Sequence, residues 1–404
     1  MSKLYIMFCG IQSIGGGQAY VNKKVEYLKN NGWTVEVFGM NEGKNYGHSP
    51  WPQLREYEKN ISLAFRRPPE FWSQRYVDKT IGWMKKIVGT GHEIIIIESH
   101  TDVWADWGER LAKEINAKHI CFLLDERLGL YGAKELLDFK HKRKEVAGIH
   151  KTSLVGLFDN YKIVPEEERY VLAACGALDC VQDIAYPKIS TLQRYDWNIA
   201  YIGRNKQYIS EVVENIIKFA KMHQNKTIQF FVVGAIEGEK NIYECKNIVL
   251  TKLGYLTPIP RSIFDFFDVV IAGAGCASLA YSTDTKTISI DANTGKVLGI
   301  LGYTTVSILM KDGDVEEKTV FESLEDIFVR KICDSMEYKP KIKEDEKKLF
   351  EEHFVFIERS NKDEEYFDLE KKPQFSFPKI KRLTFLFRHH FPRCIYMYDK
   401  IRMK

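Results

Sequence analysis

Leu4-Tyr5-Ile6-Met7-Phe8-Cys9-Gly10-Ile11-Gln12-Ser13-Ile14-Gly15-Gly16-Gly17 opens as an apolar run and ends in three consecutive glycines. Far along the chain, Asn198-Ile199-Ala200-Tyr201-Ile202-Gly203-Arg204 repeats the arrangement. One strand that stops at a glycine-marked turn is commonplace. Two of them predict two halves of the nucleotide-binding type facing one cleft.

Each half continues as strand and helix in alternation. After Gly17, Ala19, Val21, Val25 and Leu28 have helical spacing up to the stop signal Asn31-Gly32, and Thr34 to Phe38 is the next strand. A helix is expected over Glu70 to Val88, a buried strand over Glu93 to Ile97, a helix over Trp104 to Ile115 and a strand over His119 to Leu124. In the second half, strands at Asn198 to Ile202, Thr227 to Val233, Asn247 to Leu250, Val269 to Ala272 and Thr287 to Ile290 flank helices at Ser210 to His223 and near Gly275. The fold class is therefore α/β, two doubly wound parallel sheets whose ligands sit beyond the carboxyl ends of the strands. The boundary is expected between Pro187 and Trp197. Lys341 to Glu358 reads as an amphipathic helix packing back across the halves.

Composition fits this division. A chain of 404 residues, 45% hydrophobic, has room for two or three domains with ordinary cores. Its apolar runs fall far short of the roughly 18 residues of a membrane span, and no signal-peptide pattern opens it. The eight cysteines include no Cys-x-x-Cys pair, so a cytoplasmic setting without a zinc site is expected. Charge is unevenly placed. Residues 371–404 hold ten Lys/Arg and one Asp, a local +9, which leaves 49 basic and 54 acidic residues, net −5, for residues 1–370.

The order of motifs resembles the GT-B glycosyltransferases. Ile14-Gly15-Gly16-Gly17-Gln18-Ala19-Tyr20 and Asn31-Gly32-Trp33-Thr34-Val35 are similar to the opening of that family's acceptor-side domain. Tyr201-Ile202-Gly203-Arg204 with Lys206, Phe231-Val232-Val233-Gly234, Leu253-Gly254-Tyr255 before Ile259-Pro260, and Asp268-Val269-Val270-Ile271 follow the order of its donor domain. The resemblance covers about residues 1–330. It implies two Rossmann-like domains, 1–190 for the acceptor and 191–335 for a nucleotide-sugar donor; beyond them the residue pattern itself predicts a helix over 336–370 packing back across the domains and a basic aromatic tail over 371–404. Two departures stand out. The paired glutamates of retaining members are absent from Gly273-Ala274-Gly275-Cys276-Ala277-Ser278-Leu279-Ala280-Tyr281, which leaves the stereochemical outcome open. Lys206 also lies only two residues beyond Arg204, a shortened spacing.

Glycosyl transfer from such a donor expels a diphosphate, so the site must stabilise growing negative charge. Fixed cations and backbone N–H groups at a helix start do this without reorganising, and a single donor is worth ~3 kcal/mol. Arg204 ends a strand and carries the planar fork suited to phosphate; the alternative for it and for Lys206 is a surface ion pair. Gly15, Gly16 and Gly17 would let phosphate or sugar approach the backbone, and Gly273 and Gly275 would do so with a contact from Ser278, or else form a plain tight turn. Gly234 ends the neighbouring strand. Tyr255 would stand at the nucleotide base, or as a core or rim aromatic. Asp291 would face sugar hydroxyls, or cap the turn that follows it. For the acceptor hydroxyl, the base candidates are Glu126 first, Asp125 beside it, and His100, against an ion pair with Arg127 and a structural histidine. The glycines lack the Gly-x-Gly-x-x-Gly spacing and no acidic residue ends the next strand, which argues against NAD. Asp312-Gly313-Asp314 reads as an exposed turn, so no metal and no cofactor are assigned.

In the tail, Ile380, Leu383, Phe387 and Phe391 share one helical face while Lys379, Lys381, Arg382 and Arg388 enrich the rest. That pattern predicts an interfacial helix on an anionic membrane surface, where each basic side chain contributes ~1 kcal/mol. A tail packed on the protein or left disordered is the alternative. The acidic body argues against nucleic acid. Together these expectations describe a cytoplasmic, membrane-peripheral bacterial glycosyltransferase using a nucleotide diphosphate sugar and a lipid-linked or oligosaccharide acceptor in cell-surface polysaccharide biosynthesis. The competing readings are a nucleotide-sugar epimerase or hydrolase, and a non-catalytic nucleotide-sugar-binding scaffold.

Overall fold

Strand β1 (Lys3–Cys9) has Leu4 through Phe8 at 0% exposure, so both of its faces are covered and it belongs at the middle of a parallel sheet. It pairs on one side with β2 (Thr34–Met40), which carries the short β3 (Ile61–Ser62), and on the other with β4 (Ile94–Ser99), followed by β5 (Lys118–Leu123) and β6 (Val146–Gly148). The order is β3-β2-β1-β4-β5-β6 with every pair parallel, the doubly wound arrangement whose direction reverses between β1 and β4. The computed structural model describes residues 2–12, 15–40, 48–124, 134–148, 181–182, 185–204, 208–235, 239–291, 294–308, 316–340, 346–361, 363, 365–369 and 383–387.

Among the described residues, four α-helices connect these strands. α1 (Gly16–Asn30) follows β1, α2 (Gln74–Val88) follows β3, α3 (Asp102–Ile115) follows β4, and α4 (Lys134–Lys142) follows β5. Thr101 caps α3 by accepting from the Trp104 N–H. The helix expected from Glu70 begins later. Pro69–Phe71 makes one 3-10 turn, then Trp72 and Ser73 are extended, and α2 starts at Gln74. The apolar Phe71 is turned into the core at 3% exposure, which breaks the helical run that the sequence spacing suggested.

The second sheet repeats the first. β8 (Trp197–Gly203) is flanked by β9 (Ile228–Gly234) with β10 (Ile248–Gly254) on one side, and by β12 (Val269–Gly273), β13 (Lys286–Ile290) and β14 (Val297–Ile300) on the other. All pairs are parallel except β13 with β14, an antiparallel edge that the sequence reading did not include. Two short strands, β7 (Val181–Gln182) and β11 (Ile259–Pro260), pair separately. α5 (Ile209–Met222) links β8 to β9, α6 (Glu239–Tyr243) precedes β10, α7 (Ala274–Tyr281) links β12 to β13, and α8 (Val320–Phe328) follows β14. Val269, Val270, Ile271 and Ala272 are all 0% exposed, and each Val or Ile side chain so buried is worth ~1.5–3 kcal/mol.

The chain divides into two compact units, Met1–Ala174 with Lys347–Lys404, and Cys175–Glu346. The division falls ahead of the Pro187 to Trp197 boundary expected from sequence. Residues before Trp197 already belong to the second core: Tyr186 and Leu192 pack on it, and Arg194 pairs with Asp268 at 2.6 Å. α9 (Glu346–Arg359) returns to the first unit, where Phe350 lies 4.9 Å from the Tyr27 ring and Phe354 stacks on Trp33 at 5.4 Å.

Candidate functional site

In the second unit, β8 and β12 are neighbours from which the chain turns in opposite directions, so their carboxyl ends frame a crevice. The ends of β8 and β9 meet as a glycine pair, Gly203 against Gly234. Gly234 has φ +117°, and a Cβ there would collide with the Gly203 carbonyl oxygen. Gly234 is thus confined to glycine by backbone approach, and a Cβ at Gly203 would run into the Tyr201 hydroxyl and ring. Arg204 follows directly and is exposed. Its carbonyl accepts from the Tyr201 hydroxyl at 3.1 Å, which fixes the backbone from which the guanidinium projects.

Tyr201 also shares a hydrogen bond with Tyr208. Burial, then the Tyr208 hydroxyl, and the nearby Cys276 and Tyr255 push the Tyr201 hydroxyl up, so it is a neutral hydrogen-bonding group. Tyr208 packs against Gly295, where a side chain would strike its Cβ and ring. The two tyrosines were not singled out in the sequence; their position on either side of Gly203-Arg204 was the available signal.

Across the crevice, β12 ends at Gly273, an extended N-cap for α7. Ala274 adopts φ +48°, held by its N–H donating to the Ile308 carbonyl at 3.1 Å. A non-glycine in this region costs ~1–3 kcal/mol and is characteristic of functional turns. The first turn of α7 carries no acidic residue, Gly275 and Cys276 are partly exposed, and the helix dipole there favours an anion. Ser278 lies one turn in and is buried. Asp291, after β13, is buried at 4% exposure and accepts from the Thr294 N–H at 2.7 Å and hydroxyl at 2.8 Å. It caps its turn, and its charge adds to burial and Cys276 in raising the Tyr208 hydroxyl. Tyr255 is 52% exposed, at the rim rather than in the core. Lys206 lies outside the described residues.

The first unit is built differently at the same place. Gly15 is the extended N-cap of α1, and Gly16 and Gly17 open the helix without an acidic residue in its first turn. Behind them stands a closed polar network. Glu98, on β4, accepts from the Tyr5 hydroxyl at 2.5 Å, the Tyr20 hydroxyl at 2.9 Å, the His100 Nε2–H at 2.6 Å, and the Lys24 ammonium. Lys24 Nζ also lies 3.2 Å from His353 Nδ1 on α9. Burial alone would raise the Glu98 carboxyl, but Lys24 and His100 carry it well below the ordinary carboxylate range. His100 is therefore a buried member of this network, 2% exposed. Asp125 and Glu126 lie outside the described residues; Leu124 just before them donates its N–H to the His100 carbonyl at 3.1 Å.

A second buried chain joins Ser99 Oγ to His119 Nε2 at 3.0 Å and His119 Nδ1 to Glu109 at 2.7 Å. The geometry is that of a nucleophile, base and orienter. Its chemistry is not, because all three are at most 1% exposed and Lys140 sits 2.7 Å from Glu109. Burial and Lys140 lower the His119 ring, keeping it neutral, and Glu109 is brought down to about 2, burial opposed by Lys140 and His119. The C-terminal segment is sewn to this network: Phe367 donates its N–H to Glu109 at 2.7 Å, and Arg143 reaches Glu365 at 3.1 Å.

The pair of six-stranded sheets with one strand order also occurs in known structures. A glycosyltransferase from Rickettsia africae superposes with a TM-score of 0.55 over 89% of this chain and 95% of its own, at 13% identity. The lipopolysaccharide outer core galactosyltransferase WaaB, in its apo form, superposes at 0.51 over 89% and 96%, at 12% identity. The fold is GT-B. No protein-family model and no curated protein sequence matches the chain.

Within this GT-B fold the tail is described only at residues 383–387, a helical turn with Leu383 66% and Phe387 47% exposed. Lys379, Lys381, Arg382 and Arg388 lie outside the described residues. Among the described residues no group of His, Cys, Asp and Glu is arranged to hold a metal, and no helix is long and apolar enough to cross a membrane.

Proposed function

We propose that this chain is a glycosyltransferase that takes a hexosyl group from a nucleotide diphosphate sugar and delivers it to a lipid-linked or oligosaccharide acceptor, in assembly of a bacterial cell-surface polysaccharide. The observation that carries the reading is Arg204, exposed beside the Gly203 and Gly234 pair and across from the N-terminus of α7. A guanidinium and a helix N-terminus at one switch point match the two negative charges of a departing nucleoside diphosphate. Two GT-B glycosyltransferases among the structural relatives support the same reaction class.

In this reading the residues divide the work. Arg204 meets the diphosphate as its bond to the anomeric carbon breaks, with Lys206 assigned to the same charge. Gly273 and Gly275 let the backbone approach a phosphate, and the exposed ring of Tyr255 offers a face to the nucleotide base. Gly15, Gly16 and Gly17 open the acceptor-side unit. Glu126, supported by Asp125, takes the acceptor proton. His100, buried with its Nε2 2.6 Å from Glu98 Oε1, holds position. No metal or cofactor is assigned. The protein acts on the cytoplasmic face of the membrane, held there by its tail.

Incubation with nucleotide diphosphate sugars and membrane extract tests the reading. Sugar should pass to a lipid-extractable product, and Glu126→Gln should abolish the transfer while leaving donor binding intact. Donor breakdown that proceeds equally without any acceptor would replace it with an epimerase or hydrolase.

A further inference from the structure

The start of α2 carries an aromatic and cationic cluster that the reaction does not use. Trp72 lies 5.1 Å from Phe71 and 4.8 Å from Tyr76, ring centre to ring centre, and the Arg67 guanidinium sits 5.8 Å from the Phe71 ring. The cluster is rigidly based. The Trp72 indole donates to the Ala64 carbonyl at 3.0 Å, and the Trp107 indole donates to the Arg67 carbonyl at 2.9 Å. Into it comes Phe385 from the tail. Its ring is 5.3 Å from Phe71 in an edge arrangement and 6.0 Å from Trp72, with Arg67 over it at 4.9 Å.

One seated residue fixes the orientation of the helical turn. Residues 383 and 387 are four apart and share a face, while 385 is on the opposite side. With Phe385 held by the first unit, Leu383 and Phe387 face outward, and they are the exposed large apolar side chains of the turn. The flanking sequence gives the occupant's charge. Residues 371–404 hold ten Lys/Arg against one Asp, so an outward apolar pair set in cationic sequence matches an anionic bilayer surface. The place is informative too. β3 pairs with the carboxyl end of β2, and a helix following a parallel strand starts from that strand's carboxyl end. The cluster thus stands toward the end of the sheet where Gly15 to Gly17 open α1.

We propose that Arg67, Phe71 and Trp72 form a socket that seats Phe385 and so makes the helical turn at residues 383–387 an ordered membrane-facing element of the first unit, presenting Leu383 and Phe387 to an anionic bilayer. The inference rests on the membrane reading above and adds what fixes the turn's orientation. Bilayer contact then occurs on the acceptor-side unit, at the sheet end where a lipid-linked substrate is needed.

The test uses the full chain and two readouts. In solution, amide hydrogen exchange across residues 383–387 should be slowed relative to an unstructured peptide, and Phe385→Ala, or Arg67→Ala on the socket side, should remove at least about tenfold of that protection. On vesicles of equimolar phosphatidylglycerol and phosphatidylcholine, Leu383→Asp with Phe387→Asp should weaken binding by at least about tenfold while protection of the turn is kept. Phe385→Ala should weaken binding as well, and pure phosphatidylcholine should bind none of the proteins. Exchange across 383–387 that is unprotected, or unchanged in both socket variants, overturns the socket. Protection without any vesicle binding by the unmutated chain overturns the membrane-facing role and the membrane reading with it. Vesicle binding unaffected by the Asp pair overturns the assignment of the outward face.

Discussion

The two units share one strand order, yet they treat charge at the switch point in opposite ways. In the first, Glu98, Lys24, Tyr5, Tyr20, His100 and His353 bond to one another within a buried interior. In the second, Arg204 is exposed and the tyrosines behind it position its backbone. A paired, buried charge holds structure. An exposed cation beside a helix N-terminus is available to a ligand. Topology locates a site, but the solvent exposure of its charges decides whether it can act.

The contrast breaks most visibly if the buried pair is cut. Lys24→Met should cost about 3–5 kcal/mol, because it strands Glu98 without its cation, and Glu98→Gln in the same chain should recover most of the loss. Urea unfolding followed separately for each unit checks this; a loss shared equally with the second unit would erase the distinction. Acid gives the next effect. Glu98 is held well below its ordinary value and Glu109 at about 2 against 4.5, so both stabilise the first unit above the unfolded value. That contribution, on the order of 3 kcal/mol for Glu109, is lost as pH falls from about 4.5 towards 2. In the second unit, the lowered carboxylates Asp196 and Glu322 lie at the surface. The first unit should therefore unfold first on acidification, and Glu109→Gln should flatten its pH dependence.

Arg204→Ala should reverse the pattern. Donor use should fall at least tenfold, about 1.4 kcal/mol, while stability stays within about 0.5 kcal/mol, as expected for an exposed side chain. The smallest effect belongs to Asp291. Asp291→Ala should cost about 1 kcal/mol through its two bonds to Thr294, and Asp291→Asn should cost less because it keeps the accepting oxygen.

The strands with continuous apolar runs were legible in the sequence, as were the glycines that end them, since two-sided burial and close backbone approach each leave a residue-type signature. The edge strand β14 was not legible, because its four residues take their place only by pairing with β13. The start of α2 was obscured by Phe71 and Trp72, whose helical spacing gives way to tertiary burial. Arg204 was visible as a cation after a strand. Glu98 and Lys24 were not visible as partners, because 74 positions separate them and only the fold brings them together. His100 shows the same limit: the sequence places it at a strand end, but its solvent exposure depends on Glu98 and on how the surrounding side chains pack.

The central claim, a diphosphate site at Arg204 and the N-terminus of α7, is tested most directly by titrating the protein with nucleoside diphosphates and their sugars while following thermal unfolding. At least one nucleoside diphosphate should raise the unfolding temperature of the intact chain and fail to do so for Arg204→Ala. Equal stabilisation of both proteins, or no stabilisation by any of these compounds, would contradict it.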